Sequence, residues 1–226
     1  MSETLDRVLT AWRLSPETFE LQAPPAAEEA IAEAERALGR PLPRALKAIY
    51  GFGNGISALG GNLGIVPLVD GEAGGLVDFT TSLRSSLWPI PDQVLVFGSN
   101  GADEQFGLWY PPRSPTDGPT PVVMIGAVFE PACLALAGTD LPQFLLAWSG
   151  YYLVLLEAPS EALDAIGLPE SLRVDPARMA AIAAYFRWAD PSLPDPDPDP
   201  YSRGMDAHGI ASVIKSLQDS GDLAGH

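Results

Sequence analysis

The sequence predicts an α+β fold: a mainly antiparallel, single-sheet core flanked by helices, with a helical C-terminal extension. Three observations predict it. Amphipathic helical periodicity marks both ends of the chain, and the middle carries short apolar runs bounded by Gly-rich turns. Strands and helices do not alternate regularly, as a parallel sheet with crossover helices would require.

Leu5, Val8, Leu9 and Trp12 recur at i, i+3, i+4 and i+7 and predict a short opening helix. Pro24-Pro25 separates it from a second helix, where Glu28 and Glu29 oppose the positive end of the dipole. Ile31, Ala34 and Leu38 are its apolar stripe, and Gly39 followed by Pro41 stops it. Pro43 suits the first turn of a third helix, with Leu46, Ile49 and Tyr50 inward and Gly51 at its end. Leu63, Ile65 and Val66 predict a strand ended by Pro67, and residues 78–86 read as a helix. A hairpin follows, its strands at 94–97 and at Phe106, Leu108 and Tyr110, with a turn signal at Gly98-Ser99-Asn100-Gly101.

Five prolines make 111–121 a loop, and 122–128 and 133–137 read as further strands. Thr139 or Asp140 caps a helix with Leu141, Phe144, Leu145 and Trp148 on one face, interrupted at Ser149-Gly150. Ser160 caps a helix over 161–166, and Asp175-Pro176 opens another, striped by Met179, Ile182, Ala183 and Phe186. Residues 194–200 alternate Pro with Asp, a stiff linker, and 207–217 form a last weak helix. The expected division is an α+β domain over 1–156, a helical extension over 157–193 packed on it, and a linker and tail over 194–226.

Composition excludes several functions. The chain has 226 residues, 46% of them apolar, and 29 acids against 13 bases give a net charge of −16. Such a chain can bury a core, and its carboxylates repel nucleic-acid phosphates and anionic membranes. Cys133 is the single cysteine, so an intrachain disulfide is impossible; in its apolar run it reads as a buried, inert thiol. Residues 1–10 carry no signal-peptide pattern. The longest uncharged run, 48–69, contains six glycines and a proline, so a cytoplasmic protein without membrane contact is expected. The two histidines, His208 and His226, lie in the tail, against imidazole-based nucleophilic catalysis and His-based zinc sites. No cofactor and no metal are expected.

The remaining chemical candidates are weak. Gly51-Phe52-Gly53-Asn54-Gly55 follows a helix instead of a strand, so it reads as a turn and not as a dinucleotide loop. Asp103 and Glu104 lack a third acid at calcium-loop spacing and read as a solvated hairpin tip or a contact for a basic partner. Trp88 and Trp109 are expected in the core. An enzyme working through carboxylates would need two acids facing each other in a deep pocket.

Two stretches carry a resemblance. The first runs over 31–56, with Glu35, Leu38-Gly39, Leu42-Pro43, Ile49-Tyr50 and Asn54-Gly55 in order. The second, over 88–109, looks like a strand leading through a Gly- and acid-containing turn into another strand. With the helix over 141–148, these resemble the SUKH superfamily, the Smi/Knr-like fold, across roughly residues 25–155. The chain departs from that pattern by running well past the closing helix and by its long Pro-rich loop. The resemblance implies a non-enzymatic protein-binding module of the bacterial immunity type, neutralising a cognate toxin. The alternative is a regulatory scaffold with an endogenous partner. Eleven arginines against two lysines, with abundant Ala, Gly and Pro, fit a GC-rich bacterial genome.

Charge then suggests where a partner would bind. Residues 1–50 are nearly balanced, whereas 51–156 and 157–226 each carry a net charge of −7. Acidic surface speeds encounter with basic proteins and presents carboxylates to Arg and Lys. The expected partner is therefore a basic protein, possibly a toxin domain, contacted by Asp70, Glu72, Asp78, Asp103 and Glu104.

Overall fold

The computed structural model describes residues 2–69, 74–86, 90–102, 104–110, 120–126 and 133–168, the side chains of 133–135 excepted. The Ser2 hydroxyl accepts the Leu5 N–H at 3.3 Å and opens α1 (Glu3–Arg13). This helix buries Leu5, Val8, Leu9 and Trp12, the stripe its periodicity predicts, and Ala11 besides. A single 3-10 turn leads into β1 (Phe19–Leu21). Next come α2 (Glu28–Leu38), ended by Gly39 at φ 66°, and α3 (Arg44–Tyr50), with Pro43 one position ahead of its first turn. β2 (Ile56–Ala58) and β3 (Leu63–Ile65) flank a tight turn, and α4 (Leu76–Arg84) follows.

The longer strands β4 (Val94–Ser99), β5 (Glu104–Trp109), β6 (Val122–Gly126) and β7 (Cys133–Gly138) complete one antiparallel sheet of seven strands in sequence order. The chain closes its described part with α5 (Leu141–Leu155) and α6 (Ser160–Ile166). An α+β fold with a single antiparallel sheet is what the sequence predicts.

The main core lies between one sheet face and the helices. Leu95, Phe97, Phe106, Leu108, Val122 and Met124 meet Phe144, Leu145 and the α1 stripe there. Rings concentrate where α5 crosses the sheet: Phe106 stands 4.8 Å from Phe144 and 5.0 Å from Trp148. Val94, Val96, Trp109, Val123 and Ile125, on the alternate strand positions, are buried too, so both faces of this half of the sheet are covered. Trp109 is thus a core residue, as expected, whereas Trp88 lies outside the described residues.

Helix α4 takes over where β3 runs out. β3 pairs with β4 only at Gly64–Ser99 and Ile65–Gly98. Beyond that, the Thr80 hydroxyl accepts the Val96 N–H at 3.2 Å and donates to the Val96 carbonyl at 3.3 Å. Arg84 donates to the Val94 and Asp92 carbonyls at 3.0 and 2.8 Å. Side chains thereby satisfy backbone groups that an uncovered strand edge would leave open.

Three expectations change. α5 is not interrupted at Ser149-Gly150 but runs on to Leu155. The Ser149 hydroxyl is fully buried and accepts the Trp12 indole N–H at 2.9 Å, so contact with α1 outweighs the poor local propensity of the Ser-Gly pair. Asp140 is the cap of that helix, accepting the Gln143 N–H at 2.8 Å. Ser160 is the first helical residue and Pro159 the cap. Strands β1 and β2 have no counterpart in the sequence reading. The Pro-rich loop from 111 to 119, the helix expected near 175–186 and the tail lie outside the described residues, as does the Cys133 side chain.

Candidate protein-binding surface

The residues of the 31–56 motif are used up in holding three chain crossings together. The Glu35 carboxylate accepts the Leu42 N–H at 2.8 Å and pairs with Lys47 at 3.0 Å, so it staples α2 to the start of α3. Burial raises the Glu35 pKa, but these two donors outweigh it and hold the carboxyl below its ordinary value. The Tyr50 hydroxyl donates to the Val66 carbonyl at 2.9 Å, and burial pushes its pKa far up. The Asn54 side chain accepts the Leu68 N–H at 2.7 Å and donates to the Val69 carbonyl at 3.0 Å. Gly55 sits at φ 87° with Pro67 Cγ 2.8 Å from where a Cβ would stand, so only glycine fits beside this clamp. Each of these polar groups is engaged by another part of the chain, so the motif serves as scaffold.

Of the five acids expected at a partner surface, Asp70, Glu72 and Asp103 lie outside the described residues. Asp78 is exposed in the first turn of α4, where its carboxylate accepts the Gly75 N–H at 3.4 Å and faces the positive end of the helix. Glu104 opens β5 opposite Gly126, and its N–H donates to Asn100 Oδ1 at 3.3 Å. The two acids stand on separate elements.

Glu104 has aromatic company that the sequence reading missed. The Trp148 indole N–H donates to the Asn62 carbonyl at 2.8 Å, which ties α5 to the turn between β2 and β3. Tyr152 stands 5.2 Å from Trp148, and Tyr151 stands 5.1 Å from Tyr152. Burial raises the Tyr152 pKa, and Tyr151 and the Glu104 carboxylate raise it further. Leu155 and Leu156 are 38% and 37% exposed at the end of the same helix. Together these residues form a corner of aromatic, apolar and acidic side chains, a composition common at protein interfaces in its Tyr and Trp. The signal for it is the i, i+4 spacing of Tyr151 with Leu155 and Tyr152 with Leu156, hidden by interrupting the helix at Ser149-Gly150.

Among the described residues, no three metal-ligating side chains gather, and no helix is long and apolar enough to cross a membrane. No curated protein matches the chain. A match to a known family begins just after Pro24 and ends within α5, so α1, β1 and α6 complete the fold from outside it. Residues 25–147 match the SMI1 / KNR4 family (SUKH-1), and with more than half of its length covered the chain belongs to that family.

Proposed function

We propose that this chain is a non-enzymatic, cytoplasmic immunity protein, which neutralises a cognate bacterial toxin by binding it. The partner is a basic toxin domain, whose active site is buried or whose substrate is kept out. Family membership over 25–147 is the observation that carries this reading. It is supported by the use of the motif residues as scaffold, which leaves recognition to the surface, and by the net charge of −16. Asp70, Glu72, Asp78, Asp103 and Glu104 supply carboxylates to the partner's Arg and Lys. Residues 157–193 extend the domain of 1–156 as a packed helical segment, and 194–226 form its tail.

The test is a pull-down with the protein encoded upstream of this gene, followed by rescue of cells expressing that protein. Binding that weakens with added salt, together with rescue, is the expected result. Failure to bind any neighbouring gene product at low salt overturns the reading.

A further inference from the structure

The face of β4 to β6 opposite the main core is buried without belonging to that core. Val94, Val96, Trp109, Val123 and Ile125 are at most 4% exposed, yet they stand apart from the cluster on the other face. Register puts them on one surface: Val94 lies opposite Trp109, Ile125 opposite Gln105, and Gly107 between Val96 and Val123. Around Gly107 the Val94, Val123 and Ile125 side chains crowd the space a Cβ would take, so the surface there is closed and apolar. Among the described helices, α1, α2, α3, α5 and α6 turn their apolar residues to the main core. Helix α4 is held along the edge of β4, where Thr80 and Arg84 bond the strand's backbone. The cover of β5 and β6 on this face therefore comes from another segment.

Two polar atoms say what kind of cover it is. The Trp109 indole N–H and Gln105 Oε1 belong to this surface and are buried, and neither has a hydrogen-bond partner among the described residues. Water or a polar segment over the face would satisfy them. An apolar surface keeps water from both and offers them nothing.

The chain carries one segment with that surface and the right length. The sequence predicts a helix opened by Asp175-Pro176 and striped by Met179, Ile182, Ala183 and Phe186. A helix over 176–186 is about 16 Å long. The four strands β4 to β7, spaced at about 4.8 Å, span roughly 15 Å. The described chain ends at Leu168, in the main core. From there to Pro176 an extended chain reaches about 26 Å. Layers packed about 10 Å from either face of a sheet are roughly 20 Å apart. Segments 87–89 and 127–132 are short and must join consecutive elements, and 111–119 carries Arg113 and Asp117 among its prolines. The stripe of Ile210, Val213, Ile214 and Leu217 lies beyond the stiff Asp-Pro run.

We infer that residues 176–186 dock their apolar stripe across β5 and β6 as a helix and close the second face of the sheet. The inference rests on the proposed packing of 157–193 and names the surface it packs on. A partner cannot use this face without displacing that helix.

A nitroxide on the full chain tests it, placed at Ala181→Cys, away from the stripe, with Cys133→Ser leaving one thiol. Methyl signals of Val96, Val123 and Ile125 should broaden and recover when the nitroxide is reduced, while those of Leu5 and Val8 in α1 should broaden far less. Ile182→Asp in the unlabelled chain is independent of the cysteine changes. It should speed amide exchange in β5 and β6 by at least about tenfold and leave α1 and α6 as they were.

Stronger broadening in α1 or α6 than in β5 and β6 puts the segment on the other layer. Broadening only in mixtures of labelled and isotope-enriched chains gives the face to a second copy. Broadening from Ser212→Cys instead gives it to 207–217. Each result overturns the inference, as does unchanged exchange in Ile182→Asp. Absence of broadening anywhere overturns it too, and alone among these outcomes it also removes the packed extension. The toxin pull-down is read separately from all of them.

Discussion

The two halves of the sheet are built differently. β1, β2 and β3 have three residues each, while β4 to β7 have five or six. The long half is held by its own ladder and by apolar side chains on both faces. The short half has few ladder bonds, and side chains from α3 and the Asn54 turn hold the chain that leaves β3. Tyr50 and Asn54 of the family motif thus sit where the short half needs support, which explains polar residues in a recognisable signature.

Substitutions separate the two modes of support. Phe144→Ala removes a buried ring from between the long strands and α5, and should cost about 3 to 5 kcal/mol, read from denaturant midpoints. Hydrogen exchange should then accelerate throughout β4 to β7. A loss under about 1 kcal/mol would show that α5 is not what secures that half.

Asn54→Ala takes away both clamps on residues 68 and 69 and should cost about 1 to 3 kcal/mol. Its exchange signature should be local, at the Leu68 amide and along β2 and β3, with β5 and β6 still protected. Equal loss of protection in both halves would abolish the distinction drawn between them. Tyr50→Phe deletes only the hydroxyl and should cost about 1 kcal/mol through the unpaired Val66 carbonyl.

Glu35→Gln is the mildest, and pH isolates it. The carboxyl has a lower pKa folded than its ordinary 4.5, so its contribution is present above that value and is lost as pH falls through the folded pKa. The wild type should therefore lose more stability than the Gln variant when pH is lowered below about 4.5. Parallel acid curves for the two proteins would show that the staple works without its charge.

Legibility in the sequence followed the same division. Each long strand or helix announces itself by period: the α1 stripe, the α2 stop at Gly39, and the hairpin of β4 and β5. Phe19-Glu20-Leu21 and Ile56-Ser57-Ala58 become strands because their neighbours pair with them. Glu104 was legible as an acid at a hairpin tip. Tyr151 and Tyr152 were not, because a Ser-Gly pair is a local break that only the Trp12 contact repairs.

The sequence by itself determined the class of fold and the order of the main elements, since these rest on periodicity, caps and turn residues within a few positions of each other, and its motif residues carried the resemblance to the family. Tertiary structure alone decided that α5 runs unbroken to Leu155, that β1 and β2 join the sheet, and that Trp148 and the tyrosine pair stack at the end of α5. Those outcomes depend on contacts between residues far apart in the chain. Trp12 with Ser149 and Asn62 with Trp148 are two such contacts, and local propensity carries no record of either.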